Sequence, residues 1–265
     1  MAATSVLQNK CALITGSTQG LGLAAAKRFA AAGCNLVING FGDAREIAAL
    51  RTGIEKEHGV RTLYCGADLS DPREIAHMLS ASFDAFGAVD ILVNNAVVRH
   101  TAPVEEFPVE AWDQGLAVNL SAAFHTIRLA LPGMRKKGWG RIVNVSSIYG
   151  LIGATNRINY VTSKTALIGM TRAVALETRG QDITCNAVCP GTVETPVHEN
   201  KIQEMMAAGG LSRADAEREF LASKQPGGRF IAAEDVAALI VFLCGPESRD
   251  ITGAALPIDG GWSIH

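Results

Sequence analysis

Short apolar runs alternate with longer helical stretches along most of the chain. An apolar strand without a polar break is buried on both faces, and repeated strand-helix-strand order is typical of a parallel sheet. The pattern therefore predicts an α/β fold, a doubly wound parallel sheet with helices on both faces. The predicted strands are 10–15, 35–39, 61–64, 90–94, 141–146, 183–188 and 254–258. The predicted helices are 21–32, 45–58, 72–86, 111–137, 159–179 and 235–243.

One stretch, residues 192–229, breaks this alternation. It contains no predicted strand, and residues 211–221 carry a polar, charged helical pattern. Long excursions at the carboxyl end of a strand often cover a site in this architecture, so we expect a helical lid here. The alternative is a surface insertion without a role. No linker, repeat or low-complexity segment divides the chain, which predicts one domain over residues 1–265.

Composition narrows the class of protein. The chain has 265 residues, 48% of them hydrophobic, and a formal net charge of −2. Without a run of Lys or Arg, nothing indicates a nucleic-acid or membrane-surface partner. The first ten residues are not typical of a signal peptide, and no apolar stretch reaches the ~18 residues of a membrane span.

Cysteine and histidine usage points the same way. The six cysteines form no Cys-x-x-Cys pair, and the six histidines show no metal-ligand spacing. Cysteines that are scattered through apolar segments are typical of small buried side chains in a reducing compartment. We expect a cytoplasmic protein without a metal site.

A glycine-rich loop joins the first predicted strand to the first helix. Gly16, Gly20 and Gly22 allow a tight turn and the close approach of a phosphate. The helix start adds unpaired N–H groups and the positive end of the helix dipole. The spacing is Gly-x-x-x-Gly-x-Gly rather than the commoner Gly-x-Gly-x-x-Gly. Its position in a strand-loop-helix unit favours a dinucleotide site over an ordinary tight turn.

The end of the second strand bears on which dinucleotide is bound. NADP sites usually place Arg or Lys near the 2′-phosphate, and NAD sites place an acid near the ribose hydroxyls. No base follows this strand until Arg45, which favours NAD. The usual acid is also missing, unless Asp43 reaches back. Asp68 follows the third strand. Its carboxylate is expected to accept a hydrogen bond from the adenine amine, to cap a helix, or to do both.

A tyrosine and a lysine lie one helical turn apart, with a serine upstream. Tyr160 and Lys164 share a helix face, and Ser147 precedes Tyr160 by thirteen residues. A tyrosine pKa is ordinarily about 10, and a neighbouring positive charge favours the phenolate. This arrangement suits proton transfer to or from a hydroxyl or carbonyl oxygen. Alone, the pair also occurs by chance on helices that only pack.

Together these motifs resemble the short-chain dehydrogenase/reductase family. The match runs in order through the glycine loop, Asn94-Asn95-Ala96, Asn119, Ser147, Tyr160-x-x-x-Lys164 and Pro190-Gly191. The resemblance implies a single Rossmann-type domain. It implies that Tyr160 is the general acid/base, that Lys164 lowers its pKa and holds the nicotinamide ribose, and that Ser147 orients the reacting oxygen. It also implies that Asn119 anchors a proton-relay water. One departure is Val97, where the family usually has glycine.

The resemblance also implies the residues that hold the cofactor. They belong to the glycine loop, to the ends of the following strands and to the helix that bears the tyrosine. They are Gly16, Thr18, Gln19, Gly20, Leu21, Gly22, Phe41, Asp68, Leu69, Asn95, Ala96, Tyr160, Lys164, Pro190, Gly191 and Val193.

Within the family, the chain is similar to bacterial D-3-hydroxybutyrate dehydrogenases. The segments that carry this similarity are 39–43, 58–60, 66–70, 224–226, 242–244 and 259–262. It implies an NAD-dependent cytosolic tetramer with a helical lid. In that tetramer the helices at 111–137 and 159–179 would pair with those of a neighbour, and the tail 262–265 would lie between subunits.

The substrate pocket departs from that subfamily. Where its members use a glutamine, a histidine, a lysine and a second glutamine, this chain has Arg99, Tyr149, Arg157 and Glu199. His100 is retained, and Ser147 and Tyr160 complete the expected substrate set. Two arginines suit an anion through bidentate binding, although both could be surface charges. Glu199 and Tyr149 favour a different or larger acid, including a sulfonate or an oxidised sugar acid.

Three functions remain open at this point. The leading hypothesis is an NAD-dependent oxidoreductase that interconverts a short hydroxy acid and its keto acid. A second is a polyol or sugar dehydrogenase on the same scaffold. A third is a non-catalytic NAD(H)-binding regulatory protein, which the intact set of Asn119, Ser147, Tyr160 and Lys164 argues against.

Overall fold

The computed structural model describes residues 7–222 and 224–264, except the side chains of residues 196 and 197. Parts of three regions discussed above therefore lie outside the described residues: 1–6 at the amino end, residue 223 in the predicted lid, and His265 in the tail. Within the described residues, seven strands form one parallel sheet. They are β1 Cys11–Ile14, β2 Asn35–Asn39, β3 Thr62–Cys65, β4 Ile91–Asn94, β5 Trp139–Val145, β6 Asp182–Pro190 and β7 Ala255–Ile258.

Helices cover both faces of this sheet, which confirms the predicted doubly wound fold. Most predicted elements are present with ends shifted by one or two residues, as helix and strand ends commonly are. The helices are α1 Gly20–Ala31, α2 Ala44–His58, α3 Pro72–Phe86, α4 Val109–Leu116, α5 Ala122–Lys137, α6 Ile158–Glu177, α7 Pro196–Gly209, α8 Arg213–Leu221 and α9 Ala233–Phe242.

Two regions differ in detail from the sequence prediction. The helix expected at 111–137 is two helices, α4 and α5, joined by one π-helical turn at Ala117–Ser121. The stretch at 192–229 contains α7 as well as the expected helix α8. It also makes one isolated parallel bridge, between Val193 and Ile231, which closes the base of this excursion.

The strand order is β3-β2-β1-β4-β5-β6-β7. It reverses between β1 and β4, so Ile14 lies opposite Ile38 on one side and Val93 on the other. In a doubly wound sheet the loops diverge at such a reversal and leave a crevice at the carboxyl ends of the strands. The topology therefore places a binding crevice directly after Ile14.

Alternate residues of the central strands enter two separate cores. Ile14 packs with Phe29 of α1 and Ile240 of α9 on one face. Leu13 packs with Ile75 of α3 on the other face. This period-two alternation is why the strands are apolar throughout, since neither face meets water.

A buried polar chain lies behind the crevice. The Asn94 amide donates to the Asn144 side-chain oxygen at 2.9 Å and accepts from the Thr126 hydroxyl at 2.7 Å. Asn144 in turn donates to the Thr171 hydroxyl at 2.9 Å. Each buried group thus has a partner, which fixes α5 and α6 against β4 and β5.

The cysteines carry free thiols in this structure, and all but the half-buried Cys65 are buried. Burial raises the pKa of Cys185 to about 12, which keeps it a thiol. No helix within the described residues is both long enough and apolar enough to span a membrane.

Candidate active site

A cavity of about 530 Å³ occupies the crevice at the carboxyl ends of the strands. Every residue predicted to hold the cofactor lines this cavity. Ser147, Tyr160, Lys164 and Arg99 line it as well. The structure thus joins the glycine loop and the tyrosine-lysine pair in one continuous space.

The glycine loop forms the floor of the cavity. A Cβ atom on Gly22 would collide with the carbonyl oxygen of Gly16, so this close crossing requires glycine. Gly20 has a φ of +55°, and a Cβ there would meet nothing within 4 Å. Close backbone crossing on one side and open space on the other form a cradle for a phosphate group.

The start of α1 lacks a side-chain cap. Gln19 at its N-cap makes no side-chain hydrogen bond to the helix, and the first turn contains no acid. The two following helices differ, since the carboxylates of Asp43 and Asp71 accept backbone N–H groups at their starts. The first N–H groups of α1 are therefore left for an anion from outside. The Asp43 carboxylate caps α2, and Asp43 does not line the cavity.

Asn39, at the end of β2, ties together three loops around the cavity. Its side-chain oxygen accepts from Gly16 N–H at 3.2 Å, and its amide donates to the carbonyls of Cys65 and Ala67 at 3.0 and 3.1 Å. Asn39 is buried and also lines the cavity. The sequence prediction missed this role, although an amide that ends an apolar strand was an available signal.

Asn95 holds the glycine loop from the opposite side. Its side-chain amide donates to the carbonyl oxygens of Thr15 and Gly16 at 2.9 and 3.0 Å. The Thr15 hydroxyl accepts from the N–H groups of Asn95 and Ala96. These four bonds fix the loop after β1 to the loop after β4.

Asp68 lines the cavity but does not cap a helix. Its carboxylate accepts from the N–H and hydroxyl of Ser70, both at 2.8 Å. The N-cap of α3 is Asp71, so the helix-cap alternative for Asp68 is wrong. Asp68 remains available as an acceptor at the edge of the cavity.

Tyr160, Lys164 and Ser147 line the same cavity and contact one another. The Lys164 ammonium lies 5.7 Å from the centroid of the Tyr160 ring and donates to the carbonyl oxygen of Val145 at 2.7 Å. Burial raises the pKa of Tyr160, but the charges of Lys164 and Arg99 and a bond to Ser147 outweigh it, so the pKa falls below 10. Such a phenol can act as a proton acceptor.

Asn119 lies behind this group, in the π-helical turn. Its side-chain oxygen accepts from the Val98 N–H at 2.8 Å, and its amide donates to the Val98 carbonyl oxygen at 3.0 Å. Asn119 and Lys164 both line a second cavity of about 10 Å³. That volume is close to the minimum for one water molecule. The side chain of Asn119 thus shapes the backbone, and its neighbourhood has room for a relay water.

The expected substrate residues divide into two groups. Arg99 lines the cavity, with its guanidinium carbon 5.3 Å from the centroid of Tyr160. Tyr149 lies beside Tyr160, with ring centroids 6.3 Å apart, and Arg157 lies 5.7 Å from the Tyr149 ring. Arg99 and the Tyr160 ring mark the substrate end of the cavity, and Tyr149 and Arg157 lie beside it without lining the cavity.

His100 and Glu199 lie outside the cavity wall. The exposed His100 packs edge-on against Phe107 at 5.1 Å. The Glu199 carboxylate is bound by both terminal nitrogens of Arg213, at 2.9 and 2.7 Å, which joins α7 to α8. The structure therefore corrects the expectation that Glu199 brings negative charge to the substrate.

His198, the residue before Glu199, lines the cavity instead. Its Nδ1 lies 2.6 Å from the carbonyl oxygen of Val193, which fixes the proton on Nδ1. Its ring packs against Phe220 and Phe230. Burial lowers the pKa of His198, so it is neutral near pH 7. Its adjacency to Glu199 gave no signal, because neighbouring helix residues point in different directions.

Val97 lines the cavity and is half-buried. Its side chain stands where the resemblance of the motifs implied glycine, beside Val98 and Arg99 in the cavity wall. No group of three or more His, Cys, Asp or Glu within the described ranges is arranged to hold a metal ion.

Comparison with known proteins decides the family. A family model described as short chain dehydrogenase matches residues 10–206. The chain belongs to the short chain dehydrogenase family. It is therefore an oxidoreductase of the class that acts on CH–OH groups, as the resemblance of its motifs indicated.

Similar curated proteins cover nearly the whole chain. A D-beta-hydroxybutyrate dehydrogenase of Cupriavidus necator is 45% identical over 257 residues, which is 97% of this chain and 99% of that protein. One of Rhizobium meliloti is 44% identical, with the same coverage. The predicted similarity to bacterial 3-hydroxybutyrate dehydrogenases is thus confirmed.

A solved structure shares the fold of this dehydrogenase. L-sorbose reductase from Gluconobacter frateurii, complexed with NADPH and L-sorbose, has a TM-score of 0.93 and 28% identity. It covers 99% of this chain and 100% of its own. Nucleotide cofactor binding is a shared property of this family and fits the cavity described above.

Proposed function

We propose that this dehydrogenase catalyses the reversible oxidation of a short hydroxy acid, of the 3-hydroxybutyrate type, with NAD as its cofactor. The observation that carries the proposal is the placement of Arg99 over Tyr160 at the substrate end of the dinucleotide cavity. A proton acceptor beside a guanidinium that has no carboxylate partner among the described residues suits a hydroxyl close to a carboxylate.

The chain's own residues would hold the dinucleotide along the cavity. The uncapped start of α1 and the open face of Gly20 fit the diphosphate. Asp68 at the cavity edge fits the adenine amine, and Lys164 fits a ribose hydroxyl at the far end. When bound, the nicotinamide supplies the acceptor for a hydrogen with its electron pair.

Proton transfer falls to Tyr160. During oxidation the phenolate oxygen takes the proton of the substrate hydroxyl, while Ser147 orients that oxygen. The positive charge of Lys164 stabilises the phenolate before this step. The small cavity shared by Lys164 and Asn119 has room for the water that would return the proton to solvent.

The cavity wall favours NAD over NADP. Near the end of β2 it is formed by Asn39, Gly40 and the exposed Phe41, with Asp68 close by. Within the described residues, the arginine and lysine of this wall are Arg99 and Lys164, both at the substrate end. A 2′-phosphate at the adenosine end would therefore lack a cationic partner.

A panel of substrates tests the proposal. NADH formation should be measured with 3-hydroxybutyrate, other short hydroxy acids and polyols, each with NAD and NADP. We expect turnover with hydroxy acids and NAD. Turnover confined to polyols would refute the acid assignment, and tight NADH binding without any turnover would favour a regulatory role.

The alternative hypothesis, a polyol or sugar dehydrogenase, has one observation in its favour. The sorbose reductase fold matches with a TM-score of 0.93, so a neutral sugar fits the same scaffold. The positive charge of Arg99 opposes this hypothesis, because a neutral polyol offers it no negative charge. Arg99→Met therefore separates the two: it should impair turnover of an acid far more than turnover of a polyol.

We also propose a single domain over residues 1–265, with a lid at about 192–229, that assembles as a cytoplasmic homotetramer. Large apolar side chains support self-association, since Phe124 on α5 and Leu176 on α6 are 51% and 67% exposed. Ile264 near the carboxyl end is 91% exposed, which is consistent with a tail that packs on a partner subunit. Light scattering of the purified protein would give its mass, and a monomer would refute this assembly.

A further inference from the structure

One cation lines the substrate end of the cavity and two more lie on aromatic rings beside it: Arg99 lines the cavity, whereas Arg157 and Lys224 contact Tyr149 and Phe220. Burial lowers the pKa of His198 on the cavity wall, and the charges of Arg99, Lys224 and Arg157 lower it further. Arg157 also lowers the pKa of Lys224, after the effect of burial. Contacts place two of these charges near the site: Arg157 lies over Tyr149, whose ring is next to Tyr160, and Lys224 lies over Phe220, whose ring packs on His198. The sequence had marked Lys224 only as part of the matching segment 224–226, without a role.

Each of these cations rests on an aromatic ring. Arg99 lies over Tyr160 and Arg157 over Tyr149. The Lys224 ammonium lies 3.6 Å from the centroid of Phe220, whose ring packs at 5.7 Å on His198. The rings position the cations without neutralising them.

No carboxylate neutralises them either. Among residues 7–222 and 224–264, the ion pairs leave Arg99, Arg157 and Lys224 without an acidic partner. Glu199, the acid next to His198 on α7, is bound in a two-point ion pair by Arg213. Neighbouring positive charges repel one another, and an anion bound between them relieves that repulsion.

The cofactor's phosphates do not supply those anions. The phosphate cradle is at the uncapped start of α1, whereas Arg99 and Arg157 lie beside the rings of Tyr160 and Tyr149. Arg157 is also the N-cap residue of α6, where the positive end of the helix dipole adds to its charge. An anionic substrate is then the group at this site that can pair with these cations.

We propose that the preferred substrate carries two anionic groups, as in a short hydroxy dicarboxylate, one bound by Arg99 and the second by Arg157 together with Lys224. The inference rests on the proposed hydroxy-acid activity and extends it. A single carboxylate bound between Arg99 and Arg157 would leave the ammonium of Lys224 without an anion of its own.

Matched substrates test this inference. Malate is 3-hydroxybutyrate with its methyl group replaced by a carboxylate, and 3-hydroxyglutarate is one methylene longer. We expect kcat/KM with NAD to be at least about tenfold higher for one of the two diacids than for 3-hydroxybutyrate, the effect of one additional charged hydrogen bond.

A variant series assigns the preference to Lys224. Lys224→Gln should lower the diacid-to-monoacid ratio of kcat/KM by about tenfold, and Lys224→Arg should retain most of it. Arg218→Gln is the matched control, because Arg218 is an exposed cation of the same lid that is already paired with Asp215. A ratio measured within each variant is insensitive to how much of the protein is folded.

The outcomes separate the two proposals. Turnover of 3-hydroxybutyrate with no preference for either diacid would overturn the two-anion inference and leave the hydroxy-acid function intact. A diacid preference that persists unchanged in Lys224→Gln would overturn the role of Lys224 and with it the second anion site. Absence of turnover with every acid would overturn both.

Discussion

The guanidinium carbon of Arg99 lies 5.3 Å from the centroid of the Tyr160 ring, so the phenol faces two cations rather than one. Lys164 reaches the same ring from the next helical turn, at 5.7 Å. The second cation differs from the first in one respect: Arg99 is exposed, whereas Lys164 is buried. A bound substrate anion would pair with the positive charge of Arg99 and would not alter the charge of Lys164.

Arg99→Gln should shift the pH dependence of the reaction. The charges of Lys164 and Arg99 lower the pKa of Tyr160 against the effect of burial. Oxidation needs the phenolate, which forms as pH rises through that pKa. Loss of Arg99 raises this pKa, so the acidic limb of kcat/KM for oxidation should move to higher pH. The exposed Arg128→Gln serves as the control, and an unmoved limb in Arg99→Gln would contradict the second cation.

Tyr160→Phe should remove most of the activity and leave the cofactor bound. The phenyl ring keeps the packing of the cavity wall but cannot exchange a proton, so kcat should fall by about 10²-fold or more. NADH affinity, measured by fluorescence titration, should remain close to that of the unmodified protein. Normal turnover in this variant would refute Tyr160 as the proton acceptor.

Phe41→Arg should admit NADP. Phe41 is 68% exposed at the adenosine end of the cavity, where no arginine or lysine of the described wall lies. A guanidinium there can pair with the 2′-phosphate, so kcat/KM for NADP should rise about tenfold. Thr52→Arg adds the same charge on an exposed position of α2 and should change neither cofactor. If both variants behave alike, the effect is one of net charge only.

Asn39→Ala should weaken both the fold and the cofactor site. It removes the partner of Gly16 N–H and of two carbonyl groups, which costs about 1–3 kcal/mol in free energy of unfolding. Because those bonds fix the phosphate loop, KM for NAD should rise as well. Asn186→Ala removes similar buried bonds to Ile251 and Ala254, remote from the cavity. It should lower stability to a similar extent and leave KM for NAD unchanged.

Glu199→Gln should leave acid turnover within about twofold of the original, a difference far smaller than the loss of a charged contact to substrate. The carboxylate of Glu199 is held by Arg213 on the outer side of α7, and that ion pair lowers its pKa to about 2. Its charge is therefore constant over the pH range of an assay. A large change in KM for the acid would show that the lid rearranges to bring Glu199 inside.

Much of the cofactor half follows from local sequence. The period-two burial of Leu13 and Ile14 requires a strand that is apolar throughout, and the crossing of Gly16 with Gly22 requires glycine. These constraints act within one strand-loop-helix unit, so the sequence alone predicts the unit and its phosphate cradle.

The substrate end was harder to predict because it depends on which way single side chains point. His198 and Glu199 are neighbours on α7, yet one lines the cavity and the other binds Arg213. Lys224 lies over the ring of Phe220, and that ring packs against His198 in the cavity wall. Such relationships arise between separate elements of the lid, and no spacing along the chain encodes them.

The uncapped start of α1 links the proposed cofactor site to the stability of this dehydrogenase. Asp43 and Asp71 cap their own helices, whereas no side chain caps α1, and a bound diphosphate would complete its first turn. A cofactor at about 100 times its dissociation constant stabilises the folded state by about 2.7 kcal/mol. The half-life of the protein against proteolysis should therefore lengthen when dinucleotide is abundant and shorten when it is scarce.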